Sequence, residues 1–326
     1  MSRDQRTLRR IAVVVPAYRA ARTIAAVIGS IPPFVSDIVI VDDGSPDDTA
    51  ACAAASLDPR VHIVRHTTNQ GVGGATWTGL TEAVARGADV VVKIDADGQM
   101  DPEHLPRLLA PVLAGTADYA KGNRFIHRRQ LGSMPLLRRI GNTGLSFLTK
   151  AASGYWNVFD PTNGYLAVGA HVLDYLDPTY IDKRYFFETS MLLELSLARA
   201  VVVDVFVPAR YGDEVSGLSE WSSLRTFPQR LLRALLRRVY ILHFVRDFGL
   251  TAVFLIGGAA LSGFGIAFGS WAWWQSARTD SVTPAGTVMI AALSLIVGVQ
   301  CLLQAVLLDV QSQPTTPLRR LDAGQP

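Results

Sequence analysis

Two long uncharged segments near the C-terminus constrain the fold of this chain most. Residues 248–274 contain no charged side chain, and neither do residues 286–308. Each segment exceeds the roughly 20 apolar residues that a helix needs to cross a bilayer. Trp271, Trp273 and Trp274 cluster at the end of the first segment, which is typical of aromatic residues at a membrane interface. This length disfavours two buried helices of a soluble domain, so the sequence predicts a hairpin of two transmembrane helices.

Arginines are concentrated on both sides of this hairpin, at Arg225, Arg230, Arg233, Arg237, Arg238, Arg246, Arg319 and Arg320. The connection between the two segments holds only Arg278 and Asp280 as charged residues. The positive-inside rule therefore places both ends of the hairpin in the cytoplasm. The predicted location is the inner or plasma membrane, as a multi-pass protein whose large domain before the hairpin and whose tail at 309–326 are cytoplasmic.

Residues 225–247 are predicted to form basic amphipathic helices that precede the first span. Arg230 and Arg237 share one helical face, and Leu231 and Leu235 lie largely opposite. Such a pattern is typical of a helix that lies on anionic lipid headgroups. The alternative is the solvated face of a helix packed on protein. The adjacent span favours the interfacial interpretation.

Apolar runs alternate with helical stretches in the first part of the chain. The runs are Ile11–Val15, Ile38–Val41, Val61–Val64 and Val90–Ile94. The helical stretches between them cover about 20–30, 46–56 and 73–86. This alternation predicts an α/β fold with a mostly parallel sheet buried on both faces. Polar or glycine-rich residues follow each run, so the active site is expected at the carboxyl edge of the sheet.

Two carboxylates, Asp95 and Asp97, directly follow the fourth run, and Gln99 lies two residues further on. Oxygen ligands in this arrangement suit a hard divalent cation whose shell is shared with substrate phosphates. A simple turn is the alternative, because Asp and Gly favour turns. The other polar strand ends favour a site for Mg²⁺ or Mn²⁺ with Asp95, Asp97 and Gln99 as its ligands.

The ordered motifs resemble family 2 of the inverting glycosyltransferases. They are Val15-Pro16-Ala17-Tyr18, Val41-Asp42-Asp43-Gly44-Ser45, Asn69-Gln70-Gly71, Asp95-Ala96-Asp97-Gly98-Gln99 and Asp101-Pro102. Three later segments are similar to those of the polyprenyl-phosphate sugar synthases in that family. They are Lys121-Gly122-Asn123-Arg124, Asp160-Pro161-Thr162-Asn163-Gly164-Tyr165 and Arg210-Tyr211-Gly212-Asp213-Glu214-Val215-Ser216.

The resemblance implies a nucleotide-sugar-binding domain of the GT-A fold over residues 1–224. It also implies that Asp95, Asp97 and Gln99 contact the metal and the donor diphosphate, with Asp97 as a catalytic residue. The residues that it implies around the nucleotide are Pro16, Ala17, Tyr18, Asp43 and Asp95. The Asp43 carboxylate is expected to accept an imide N–H of the base, and Tyr18 to stack on its ring. Capping of the following helix is the alternative role for an Asp at this strand end.

A phosphate acceptor changes what the site must supply. A phosphate monoester with a second pKa near 6 is already an anion, so it attacks without a strong base. Arginines match phosphate in bidentate geometry. The candidates for binding the acceptor phosphate are Arg124, Arg138, Arg139, Arg210 and Ser216, with Arg124 also a catalytic candidate. Glu188 lies where family members place a catalytic carboxylate, and a favourable charge at a helix start is its alternative role.

The leading hypothesis is inverting transfer of a monosaccharide from a UDP- or GDP-linked donor to polyprenyl phosphate. Another lipid or lipid-linked sugar acceptor is the second hypothesis. A non-catalytic nucleotide-sugar-binding membrane protein is the third, because Arg19-Ala20-Ala21 stands where many of these synthases carry Asn-Glu-Glu. A dinucleotide-dependent oxidoreductase is set aside, because Thr76 occupies the last glycine position of that fingerprint.

Composition excludes several other classes of function. The balance of 31 basic against 28 acidic residues gives no indication of nucleic-acid binding. Cys52 and Cys301 fall in different halves of the chain, so no disulfide framework is predicted.

Gly265 and Gly269 form a small-xxx-small pair, which packs helices either within the hairpin or between protomers of a homo-oligomer.

Overall fold

Seven strands form one mixed sheet in the computed structural model, which describes residues 9–123, 136–208 and 220–322. The strands are β1 (Ile11–Ala17), β2 (Asp37–Asp42), β3 (Val61–Arg65), β4 (Val90–Lys93), β5 (Tyr119–Asn123), β6 (Leu166–Gly169) and β7 (Val202–Phe206). Their spatial order is β3-β2-β1-β4-β6-β5-β7. Only β6 runs antiparallel to its neighbours β4 and β5. The prediction of an α/β fold with a mostly parallel sheet is therefore confirmed.

The α-helices between and after these strands begin and end as follows. They are α1 (Ile24–Ser30), α2 (Thr49–Ala54), α3 (Val72–Ala85), α4 (Leu105–Leu113), α5 (Leu136–Ser153), α6 (Phe187–Ala198), α7 (Glu220–Tyr240), α8 (Leu250–Thr279), α9 (Ala285–Gln311) and α10 (Leu318–Asp322). The first two start later than the sequence predicts. Arg19 has a left-handed backbone with φ of 55°, and Asp47 Oδ1 accepts a hydrogen bond from the Thr49 hydroxyl. These local turns delay both helices.

Two hydrophobic clusters cover the two faces of the sheet. Alternate residues of β1 point to opposite clusters, so Val13 and Val15 pack on one face while Ala12 and Val14 pack on the other. Helices α1 and α4 cover the first face, and α3 and α6 cover the second. Every residue of β1, β2 and β4 is buried, as expected for parallel strands between two helical layers.

The strand order reverses between β1 and β4. From β1 the chain builds outward through β2 to β3, whereas β4 pairs with the other side of β1. Ligands of open α/β sheets bind in the crevice at such a switch point, beyond the carboxyl ends of the strands. Residues Tyr18, Asp43 and Asp95 follow β1, β2 and β4 at this edge. The topology therefore brings the three predicted site loops together.

The chain divides into two compact units, Met1–Leu235 with Pro314–Pro326 and Leu236–Gln313. In the first unit the last segment of the chain joins the core. Leu318 is buried among the residues on the α3 and α6 side of the sheet, and its backbone N–H donates to the carboxylate of buried Asp118 at 3.0 Å. The expected cytoplasmic tail at 309–326 thus includes a segment that packs into the fold of the first unit.

Helices α8 and α9 are long and apolar enough to cross a membrane. They are mostly exposed, with 17% and 11% of their most apolar windows buried, whereas the core helix of a soluble protein would be mostly buried. The predicted segments are 248–274 and 286–308, so α8 begins two residues later and ends five residues later than predicted, and α9 extends its segment by one residue at the start and three at the end. A methyl group at Gly265 would lie 2.9 Å from the carbonyl oxygen of Ala291, so this glycine serves packing within the hairpin.

The predicted interfacial segment 225–247 forms the second part of α7 and a π-helical segment, Ile241–Arg246. Leu231 is buried against Phe186 and Leu193, and Leu235 packs against the same cluster. The apolar face that the sequence assigns to lipid is therefore used, in its first turns, for packing within the first unit. The exposed apolar residues of α7 lie on a different stripe, at Leu232, Leu236 and Tyr240.

Candidate active site

The carboxylate pair lies in a tight turn directly after β4. Gly98 in this turn has a φ of 75°, and the backbone N–H of Gln99 donates to Asp97 Oδ1 at 2.9 Å. The hydroxyl of Thr23 donates to the carbonyl oxygen of Ala96 at 2.6 Å, which ties the turn to the start of α1. The sequence left a simple turn and a carboxylate pair as alternatives, and the structure has both. The turn contains Asp95 and Asp97 and holds them at the switch point of the sheet.

Lys93 is the last residue of β4 and only 1% exposed. This lysine was not identified as part of the site from the sequence alone. Its Nζ lies 2.8 Å from Asp95 Oδ1 and donates to Glu188 Oε1 at 3.3 Å. Burial by itself lowers the pKa of Lys93, but Asp95 and Glu188 outweigh burial and hold the pKa above its ordinary value. The ammonium is therefore charged. The available signal was a lysine at the end of a run of buried valines.

Glu188 is the second residue of α6 and is buried, with its side chain beside the sheet rather than in solvent. The structure therefore brings this predicted residue to the Asp95 end of β4, through Lys93. Tyr119 on β5 also lies near Glu188. Burial, and then the charge of Glu188, raise the pKa of the Tyr119 hydroxyl well above its ordinary value.

A second buried lysine, Lys121, lies on β5 in register with Leu166 of β6. Its Nζ donates to the carbonyl oxygen of Asn163 at 2.5 Å. Burial lowers the pKa of Lys121 to about 8, against the charges of Glu188 and Asp160. Lys121 thus ties the segment 160–165, which resembles part of the synthases, to β5.

Tyr18 is the exposed group of the first site loop. Its side chain is 45% exposed, and the Arg19 guanidinium lies 5.3 Å from the centre of its ring. Pro16 and Ala17 are buried, and the carbonyl oxygen of Ala17 accepts a hydrogen bond from the backbone N–H of Asp43. Of the predicted residues in this loop, Tyr18 has the side chain available to a ligand.

Asp43 is 2% exposed and holds the next loop in place. Its Oδ1 accepts from His66 Nδ1 at 2.7 Å, taken as the protonated ring nitrogen, and from the backbone N–H of Gln70 at 2.9 Å. Its Oδ2 accepts from the backbone N–H of Gly71 at 2.7 Å. These contacts occupy most of the acceptor capacity of the carboxylate. The role of Asp43 at the nucleotide base stays a prediction, beside this structural role.

The glycine run after this loop serves close packing. A Cβ at Gly71 would lie 2.5 Å from the carbonyl oxygen of Lys183, and one at Gly73 would collide with the carbonyl oxygen of Asp182. The backbone N–H of Gly74 donates to the carbonyl oxygen of Lys183 at 2.9 Å. The glycines therefore let the start of α3 meet the segment before α6, which explains them without a dinucleotide.

Comparison with known families decides the identity. Residues 12–176 match the family described as "Glycosyl transferase family 2". The chain belongs to this glycosyltransferase family. The match spans β1 to β6 and so contains the switch point with both aspartates.

Two relatives of this glycosyltransferase are 34% identical to it. One is the UDP-N-acetylglucosamine–dolichyl-phosphate N-acetylglucosaminyltransferase of Methanococcus voltae, aligned over 54% of this chain and 75% of its own length. The other is the undecaprenyl-phosphate mannosyltransferase of Micrococcus luteus, aligned over 63% of this chain and 86% of its own length.

A solved structure shows the same fold. It is glucosyl-3-phosphoglycerate synthase from Mycobacterium tuberculosis in complex with Mn²⁺, UDP and glucosyl-3-phosphoglycerate. Its TM-score is 0.52 at 24% identity, and the match covers 71% of this chain and 80% of that chain. The expectation of a GT-A-type fold is confirmed.

The residues at the end of β4 fit a divalent cation bound together with a diphosphate. Within the described ranges, no group of three or more His, Cys, Asp or Glu side chains is placed to hold a metal. Asp95 and Asp97 supply carboxylate oxygens two residues apart. A site with two protein carboxylates leaves the remaining positions to water and substrate phosphate, which is the usual arrangement for Mg²⁺.

Several predicted acceptor-binding residues lie outside the described part of the glycosyltransferase. Arg124, Arg210 and Ser216 fall in residues 124–135 and 209–219, which the structure does not describe. Arg138 and Arg139 fall in the first turns of α5, where only the backbone is described. Their proposed role in acceptor binding stays a prediction.

The second unit contains a buried ion-pair cluster of its own. Arg238 is 3% exposed and donates to both carboxylate oxygens of Asp309 at 2.8 Å. His243 Nε2 lies 3.0 Å from Asp309 Oδ1. The cluster ties the last turn of α7 and the π-helical segment to the end of α9. This arginine, which the sequence offered only as a topology signal, also stabilises the fold.

Proposed function

We propose that this glycosyltransferase transfers a monosaccharide from a UDP- or GDP-linked donor to polyprenyl phosphate, with inversion at C1. The observation that carries the proposal is the acceptor for which the relatives are named. Both relatives described above align over at least 75% of their length and are named for transfer to dolichyl or undecaprenyl phosphate. Two mostly exposed apolar helices that are long enough to cross a membrane follow the catalytic unit, which suits an acceptor that resides in a membrane.

The chemistry follows from the acceptor. An oxygen of the polyprenyl phosphate attacks C1 of the sugar on the face opposite the nucleotide. The bond between C1 and the diphosphate oxygen breaks, and the nucleotide diphosphate leaves with the electron pair. Asp95, Asp97 and Gln99 would hold Mg²⁺ or Mn²⁺, which supplies Lewis-acid stabilisation of the departing charge. Asp97 carries the largest part of this role.

The remaining site residues act on the two substrates. We propose that Pro16, Ala17, Tyr18 and Asp43 surround the nucleotide, with the exposed ring of Tyr18 against the base. Glu188 orients the acceptor, because a phosphate that is already ionised needs no strong base. Arg124, Arg138, Arg210 and Ser216 bind the acceptor phosphate.

Exposed apolar side chains on the catalytic unit support a lipid acceptor. Phe147 and Leu148 on α5 are 58% and 44% exposed, and Phe159 in the following loop is 64% exposed. Contact with lipid would remove these apolar side chains from water. The arginines before α8 and after α9 support a cytoplasmic catalytic unit.

The test is a panel of UDP- and GDP-linked sugars, each incubated with the purified protein, Mg²⁺ or Mn²⁺ and undecaprenyl phosphate. Mass spectrometry of the lipid should detect a single polyprenyl-phosphate hexose, and NMR should give the inverted anomer. A product only with diacylglycerol or a lipid-linked sugar would reject the polyprenyl phosphate acceptor. Nucleotide binding without any product would reject catalysis.

A further inference from the structure

One buried ammonium joins the two sides of the proposed transfer site. Lys93 Nζ lies 2.8 Å from Asp95 Oδ1 on the donor side and 3.3 Å from Glu188 Oε1 on the acceptor side. The two carboxylates come from different elements, the turn after β4 and the start of α6. The Asp95 side chain is 29% exposed and that of Glu188 is 12% exposed, whereas that of Lys93 between them is 1% exposed.

The protein makes room for this arrangement at Gly164. A Cβ at this position would lie 2.5 Å from Lys93 Nζ and 2.9 Å from Asp95 Oδ2. Any side chain there would displace the lysine or the carboxylate. An unpaired ammonium in the core is strongly destabilising, and Lys93 is paired with two carboxylates, Asp95 and Glu188. A leucine or valine would fill the same strand position without such partners, which indicates a role beyond packing.

We propose that Lys93 is a positioning residue of the transfer site, which holds Asp95 and Glu188 at a fixed separation across the crevice. The inference rests on the proposed function, since it takes Asp95 as a donor-side residue and Glu188 as an acceptor-side residue. The ammonium also offsets part of the negative charge of Asp95. It therefore weakens the attraction of this site for a cation while it improves the geometry for transfer.

The first test uses Lys93→Met in the full-length protein in detergent micelles. Its Mn²⁺ affinity, measured with Mn²⁺ alone by EPR, should rise about threefold or more, because an adjacent positive charge is removed. The kcat for transfer should fall about 100-fold, because misplacement by about 1 Å costs that much. A role in packing alone predicts a lower melting temperature with Mn²⁺ affinity and kcat unchanged in the folded fraction.

The second test separates positioning from a general effect of charge. Adding Glu188→Gln to Lys93→Met should lower kcat by a smaller factor than Glu188→Gln alone lowers it in the wild type, because the two side chains are in contact and their effects are coupled. Multiplicative losses in the double variant would overturn the proposal. Unchanged Mn²⁺ affinity in folded Lys93→Met would also overturn it.

The Glu188→Gln variant keeps the proposal testable if Lys93→Met does not fold. The ammonium then pairs with Asp95 alone, so Mn²⁺ affinity should fall about threefold. Glu194→Gln, a change to another buried carboxylate on α6 about 9 Å further along the helix, is the matched control and should leave Mn²⁺ affinity unchanged. Equal behaviour of the two variants would overturn the proposal. A wild type that transfers no sugar would reject the proposed function, whereas these Mn²⁺ affinities would still show whether Lys93 and Glu188 act on the cation site at Asp95.

Discussion

Asp43 Oδ1 and His66 Nδ1 lie 2.7 Å apart, and both side chains are almost completely buried. This contact joins the end of β2 to the end of β3, and the same carboxylate accepts from the backbone of Gln70 and Gly71. The loop that enters α3 is therefore fixed by one aspartate. A residue predicted for nucleotide binding is also a structural centre of the site.

Replacing Asp43 by Asn should destabilise this loop. An amide NH2 group takes the place of one carboxylate oxygen, so at least one of the N–H groups that donate to this side chain loses its acceptor. We expect a loss of about 1–3 kcal/mol in the free energy of unfolding. Amide exchange at Gln70 and Gly71 should become faster. Asp48→Asn, at an exposed position in the loop after β2, is the control and should leave both measurements unchanged. Unaltered amide exchange in Asp43→Asn would contradict the role of Asp43 in holding this loop.

Tyr18 and Phe34 offer a matched pair of exposed aromatic residues, since each is 45% exposed. Tyr18 follows β1 at the carboxyl edge of the sheet, whereas Phe34 precedes β2 at the opposite edge. Tyr18→Ala should weaken binding of UDP or GDP by about 1–3 kcal/mol, the usual value of one base stacked on an aromatic ring. Phe34→Ala should bind both nucleotides like the wild type. Equal affinities for all three proteins, by calorimetry, would show that the ring does not contact the base.

The buried Lys121 predicts a pH dependence of stability. Its pKa is lowered to about 8 in the folded protein, from an ordinary value of 10.5. Between these values the unfolded chain binds more protons, so this group makes stability rise with pH. Relative to Lys121→Met, the wild type should gain on the order of 2 kcal/mol between pH 7 and pH 9.5. Parallel pH profiles of the two melting temperatures would contradict the lowered pKa of Lys121 in the folded protein.

The Arg238–Asp309 pair predicts a strong single-site effect in the second unit. Arg238→Leu leaves a buried carboxylate without its main partner, which costs about 3–5 kcal/mol. The double variant Arg238→Leu and Asp309→Leu should recover part of this loss. Arg278→Leu, at an exposed arginine stacked on Trp274, should have little effect. Thermal unfolding in detergent micelles measures all three, and a double variant less stable than Arg238→Leu would contradict the account.

The sequence predicted the elements whose signal is local. Uninterrupted apolar runs indicated β1, β2, β3 and β4, and the polar residues after them indicated the site edge. The antiparallel insertion of β6 was not predictable, because a four-residue run such as Leu166–Gly169 does not encode its direction. Directions of short strands are decided by the chain that connects them.

Long-range charge pairs explain most of what the sequence left open. Lys93 and Glu188 are 95 positions apart, and Arg238 and Asp309 are 71 positions apart. Nothing in the local sequence of either partner identifies the other. The apolar face of α7 was assigned to lipid for the same reason, because amphipathicity does not distinguish a lipid surface from the cluster around Phe186.

The central claim is that Asp97, at the switch point of the sheet, is required for transfer of a sugar to polyprenyl phosphate. The most direct measurement compares the initial rates of lipid product formation by the wild type, Asp97→Asn and Asp174→Asn. Asp174 is exposed after β6 at the opposite edge of the sheet and serves as the control. We predict a loss of about 100-fold or more in Asp97→Asn, corresponding to several kcal/mol of lost stabilisation of the leaving diphosphate, and wild-type rates in Asp174→Asn. Equal rates for Asp97→Asn and the wild type would contradict the account.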